Sequence, residues 1–128
     1  MEKYPWIDEY LMSKLGATKD YKQEWGWHRY MVGSKMFAGL TRPSDKYDPM
    51  YAGKDLVSLK CEPLMAEILR SQHPQVLPGF YMDKRNWNSI DLAGGLPAEA
   101  IKQMIDESYN LVFSKLTNKL QKEIIGTI

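Results

Sequence analysis

Apolar residues first recur with helical spacing at Ile7, Tyr10, Leu11 and Leu15, behind Pro5 and ahead of Gly16. Proline suits the first helical position and glycine the stop, so the pattern predicts a helix over about residues 5–15. Residues 17–25 are polar and irregular and read as a connecting loop, with Tyr21, Trp25 and Trp27 packing it onto the domain. Two β-compatible runs follow, 27–32 and 35–40, separated by Gly33-Ser34, the mark of a tight two-residue hairpin turn. Strict alternation puts Met36, Ala38 and Leu40 on one face of the second run and Lys35, Phe37 and Gly39 on the other. The segment 41–53, rich in turn formers, reads as a long surface loop. A third strand over 55–60 turns Val57 and Leu59 one way and Leu56, Ser58 and Lys60 the other. Glu62 and Pro63 open a second helix with an apolar stripe of Leu64, Met65, Ile68 and Leu69, ended by His73-Pro74. A second hairpin, with strands of about 78–82 and 88–92, turns at 83–86. After Gly94-Gly95, Pro97 starts a third helix of about 20 residues with Ile101, Met104, Ile105, Ser108, Val112 and Leu116 in one stripe. The tail from Thr117 either extends that helix or frays.

The order α-β-β-β-α-β-β-α, with its consecutive hairpins, predicts a fold of the α+β class. It is a two-layer sandwich in which an antiparallel sheet carries its helices on one face, covered by the first and third of them. At 128 residues the chain is one ordinary domain, 1–128. No apolar run is long enough to span a membrane, and the acidic start has no signal-peptide core, so the reading is a cytoplasmic protein; its oligomeric state is left open, with a monomer favoured. Cys61 stands alone, in keeping with a reducing compartment, and reads as a small buried filler. Seventeen basic against sixteen acidic residues give a net charge of +1. That balance excludes a broadly basic nucleic-acid binder, so any phosphate contact comes from a local patch and is weak and salt-sensitive.

The chemistry-bearing candidates gather on the second hairpin. Its turn carries Lys84 and Arg85 next to Trp87 and Asn88: cations, an aromatic face and an amide, as a nucleic-acid surface or an acidic partner would use. The same residues suit an ordinary hairpin with a solvated turn and one buried tryptophan. Arg29, Lys35 and Lys60 add cations on and near the first hairpin. Two hairpins projecting from one side would form a surface able to straddle a phosphate backbone. His28 and His73 lie far apart without metal-ligand spacing, and Gly94-Gly95 lacks the lysine of a phosphate loop. No serine stands in a nucleophile elbow, and Glu62, Asp83 and Asp91 read as solvated acids. The expectation is a binding module, not an enzyme, with no catalytic residue, cofactor or metal.

Trp25-Gly26-Trp27, Gly33-Ser34-Lys35-Met36-Phe37-Ala38 and Val57-Ser58-Leu59-Lys60-Cys61-Glu62-Pro63 run in order along the chain. Pro78-Gly79-Phe80-Tyr81-Met82-Asp83-Lys84-Arg85-Asn86-Trp87-Asn88 and Ser108-Tyr109-Asn110-Leu111-Val112 continue the series. Together these motifs resemble the MmcQ/YjbR family over nearly the whole chain. The resemblance implies a frataxin-like (CyaY-like) α+β sandwich that binds DNA through a "double wing" of hairpins, here around Lys35 and around Lys84, Arg85, Trp87 and Asn88. Tyr81 and Asn86 stand where the family pattern commonly has histidines, so no histidine-dependent role carries over, and the 41–53 loop is longer than the pattern. A frataxin-like fold also raises an iron-binding reading, for which the first helix supplies only Asp8 and Glu9. The alternative partner is another protein.

Overall fold

The elements form in the order α1 (Pro5–Met12), β1 (Thr18–Lys22), β2 (Trp27–Val32), β3 (Lys35–Thr41), β4 (Leu56–Lys60), α2 (Pro63–Gln72), β5 (Val76–Pro78), β6 (Trp87–Asp91), α3 (Ala98–Ser114) and α4 (Asn118–Ile125). They come from a computed structural model that describes residues 3–126; Met1, Glu2, Thr127 and Ile128, part of the span read as one domain, lie outside the described residues. The class is α+β: a six-stranded, fully antiparallel open sheet in the order β1-β2-β3-β4-β6-β5, with four helices. Among the described residues no helix is long and apolar enough to cross a membrane.

Ile7 and Leu11 of α1 and Ile101, Ile105, Tyr109 and Val112 of α3 pack on one sheet face against Tyr30, Val32, Leu40, Val57 and Ile90. Leu69 of α2 joins the edge of that cluster, so the helices share one face as expected. The other face holds a smaller cluster of Trp27, Tyr51, Leu56 and Phe80. The 41–53 segment is therefore more than a surface loop. Tyr51 is buried there and its hydroxyl donates to the Pro78 carbonyl at 2.7 Å, while Tyr47 packs edge-on to Phe80.

Four local readings are corrected. Residues 17–25 are not all loop: they contain β1, an exposed, charged edge strand paired along β2, where Arg29 holds Asp20 at 2.8 and 2.5 Å. An edge strand with both faces wet gives no alternation to detect. The first arm of the second hairpin is Val76–Pro78, not 78–82; residues 79–82 fold as a turn with Tyr81 at φ +54°. Burial of Phe80 against Trp27 drives that turn. The stripe of α2 is misplaced in part: Leu69 faces inward as expected and Ala66 joins it, but Leu64, Met65 and Ile68 are exposed. Finally, the tail is a separate helix, α4, started by the Thr117 hydroxyl accepting from the Leu120 N–H. The helix packs Ile124 and Leu120 against Gly16 and the Gly33 turn.

A fifth difference shapes the sheet. Tyr30 pairs with Ala38 but Met31 pairs with Met36, so Phe37 is an extra residue, a β-bulge. The bulge swings Phe37 onto the helix face beside Ala38, leaving Met36 with the opposite cluster. It also ends the β3–β4 ladder at Ala38↔Leu59. Beyond that point the buried Ser108 hydroxyl of α3 fills the gap, donating to the Phe37 carbonyl at 2.6 Å and accepting from the Lys60 N–H at 2.8 Å.

Candidate functional site

Antiparallel order puts the β2–β3 turn, the end of β4, the start of β6 and the β5–β6 connection at one end of the sheet. Gly33 and Ser34 form the first turn with both φ positive, +56° and +66°, matching the twist of the flanking strands. The two hairpins thus project from the same end, with β4 between them.

At this end the structure brings together three of the six residues picked from sequence. Lys60 lies directly opposite Trp87, and Lys35 reaches the same hollow from the start of β3. Val112 of α3, with Lys115 and Leu116 just beyond its end, closes it from the helix side and Met36 from the sheet side, giving a cleft of about 360 Å³. Burial, reinforced by the like charges of Lys115 and Lys35, holds the Lys60 ammonium below the ordinary lysine value, with Asp83 opposing. An anion seated among the three ammonium groups would relieve that repulsion. Lys115 escaped the sequence reading, although it stands three residues beyond Val112 on an apolar stripe already identified. That spacing is the signal that could have found it.

The other three occupy different positions. Lys84 donates from its ammonium to the Gly79 carbonyl at 3.0 Å, bracing the turn. Asp83 caps the same turn by accepting from the Asn86 side-chain amide and the Arg85 N–H, contacts that in that order keep its carboxyl below the usual range. Arg85 stays exposed beside it. Asn88 is 3% exposed. Its side-chain carbonyl accepts from Arg70 at 2.7 Å and its NH₂ donates to the Ala66 carbonyl, so it fastens α2 to the sheet. Arg70 also donates to the Lys84 carbonyl, a clamp no local sequence pattern announces.

Two further hollows compete for attention. One of about 510 Å³ lies between α2 and α3, lined by Cys61, Glu62, Met65, Glu107, Asn110 and Leu111. Burial first, with help from the Glu107 carboxylate, pushes the Cys61 thiol up, which makes it a poor nucleophile. The other, about 480 Å³, lies on the open sheet face among Trp25, Trp27, Arg29, Met36, Tyr81 and Met82. Among the described residues no group of three or more His, Cys, Asp or Glu stands close enough to hold a metal ion.

The chain is 29% identical over 117 residues to the protein YjbR of Escherichia coli K12, covering 91% of this chain and 92% of that one. It is 39% identical over 115 residues to YyaQ of Bacillus subtilis 168, covering 82% and 93%. The crystal structure of Deinococcus radiodurans protein DR2400, with domain DUF419, superposes with a TM-score of 0.77 at 27% identity, over 92% of this chain and 84% of that one. A Pseudomonas syringae protein gives 0.71 at 25% identity, over 87% and 98%. The YjbR family model matches residues 12–111, from the end of α1 to deep within α3, and the chain belongs to the YjbR family.

Proposed function

We propose that this protein is a non-enzymatic DNA-binding module that holds the phosphate backbone at the hairpin end of its sheet. The observation that carries the reading is the convergence of Lys35, Lys60 and Lys115 around the half-buried Trp87 in one cleft. Three cations whose mutual repulsion is already felt at Lys60 form a local patch on a chain of net charge +1. Such a patch needs no basic protein around it, but it sets a low ceiling on affinity. Arg85 extends the patch along the second turn, whereas the Lys84 ammonium is engaged with Gly79.

Each phosphate contact contributes about −0.9 to the slope of log affinity against log salt on duplex and about −0.7 on a single strand, so three lysines give roughly −2 to −3. Single alanine substitutions of Lys35, Lys60 and Lys115 should each flatten the slope by close to one contact. Lys84→Ala should change it less. Fluorescence anisotropy over a salt series measures this. Absence of binding at low salt, or a slope indifferent to all three lysines, refutes the proposal.

A second reading, a protein-interaction module, rests on a different surface. Leu64, Met65 and Ile68 line up on the outer side of α2 and are exposed, an apolar stripe of the kind that marks contact surfaces.

A further inference from the structure

Met36 lines two hollows at once: the lysine cleft and the aromatic cleft on the open sheet face. The two therefore share a wall, one hollow offering cations and the other flat rings. Trp25 is 59% exposed and Tyr81 69% exposed, an unusual outlay of aromatic surface on a small chain. Neither ring is loose. The Lys22 ammonium and the Arg29 guanidinium stand over the Trp25 ring at 5.3 and 5.8 Å, and Arg29 is itself fixed by Asp20. Tyr81 stacks on Phe80 with centroids 4.7 Å apart at 21°, and Tyr47 meets it edge-on at 5.4 Å. The Tyr81 backbone sits at φ +54°, a left-handed conformation that a bulky side chain adopts at a cost. The fold thus holds a strained residue in order to present its ring to solvent beside Trp25, Trp27 and Met36.

We infer that the aromatic cleft of Trp25, Trp27 and Tyr81 seats an unpaired nucleobase while the adjoining Lys35, Lys60 and Lys115 hold its backbone, so that the preferred ligand is single-stranded DNA. The inference rests on the proposed phosphate-binding reading and names the substrate form that reading leaves open. The chemistry fits each part. Every base has a π face that stacks on indole or phenol without regard to sequence, and arginine beside an aromatic adds to the attraction. A hollow of about 480 Å³ falls in the range of small-ligand sites. A duplex keeps its bases stacked inside and offers the rings nothing.

Two labelled single strands of equal charge separate the two ideas: an oligothymidylate of about 12 nucleotides, inside the site sizes of single-strand grooves, and an abasic backbone of the same length. The wild-type protein should bind the oligothymidylate roughly five- to a hundredfold more tightly, the value of one stacked base. Trp25→Ala and Tyr81→Asn, the latter chosen because asparagine tolerates the left-handed backbone, should reduce that advantage strongly and leave the salt slope unchanged. Both side chains are exposed, so thermal melts should show the variants folded. Equal binding of the two strands by the wild type, or an advantage that survives both substitutions, overturns the inference while the phosphate reading stands. Failure of both strands to bind at low salt removes the phosphate reading, and this inference with it.

Discussion

Ser108→Ala should lower the stability of the folded chain by about 2–4 kcal/mol, because it strands two backbone groups at once, one buried and one part-buried. The Ser108 hydroxyl accepts from the Lys60 N–H and donates to the Phe37 carbonyl, and its side chain is fully buried. The bulge at Phe37 has already taken those two groups out of the β3–β4 ladder, so neither has another strand to pair with. An alanine leaves a space close to that of the lost oxygen, too small for a water to enter and replace both bonds. Ser114→Ala is the matched control: its hydroxyl bonds the Leu111 carbonyl on the exposed side of the same helix, and its loss should change stability by under about 0.5 kcal/mol. Urea unfolding at constant m-value measures both. Equal midpoints for the two variants would show that the bridge contributes nothing.

Gly39→Ala should cost about 1–3 kcal/mol through overpacking and should report on the open sheet face directly. A β-carbon at Gly39 would stand 2.4 and 2.5 Å from two ring carbons of Trp27 and 2.6 Å from the Met36 methyl. Met36 can rotate its methyl away. The Trp27 ring cannot, since it is buried and lies parallel to Phe80 at 6.1 Å. Smaller partners at position 27 should relieve the strain. Trp27→Leu will itself destabilise, but Gly39→Ala added to it should cost much less than in the wild type, a coupling read from a double-mutant cycle. Additive losses would mean that the indole is not what the glycine makes room for. The glycine matters for function as well, because Trp27 and Met36 are walls of the aromatic cleft.

These two positions mark how far the sequence carries. The Gly33-Ser34 hairpin, β4, the long stripe of α3 and the antiparallel α+β class are legible: α3 has one wet and one dry side, and β4, though buried on both faces, is a short β-compatible run next to the turn formers of 41–53 and the proline that opens α2. The bulge was not, since Met36, Phe37 and Ala38 are all apolar and a run of apolar residues hides which one is extra. β1 was missed for the opposite reason: a strand at the sheet edge, exposed almost throughout, has no dry side to show. The 79–82 run looked like a strand because of its aromatics, but those rings are there to cover the open face from a turn. Within the candidate site, Lys35, Lys60 and Trp87 were found because they sit on or beside hairpins. Lys115 was lost because only the packing of α3 brings it to β4. Asn88 stands out in the sequence for an amide that the fold occupies with Arg70 and Ala66.

The α2 stripe of Leu64, Met65 and Ile68 and the lysine cleft lie on different parts of the surface, which allows one measurement to decide between them. Titration of single-stranded DNA into isotope-labelled protein, followed by amide chemical shifts, maps the contact residue by residue. Binding at the hairpin end gives shifts concentrated at 33–36, 60–61, 83–87 and 112–116, with Trp25 and Tyr81 moving in step, all reversed by salt. Shifts confined to 64–68, or no shifts at low salt, would contradict it.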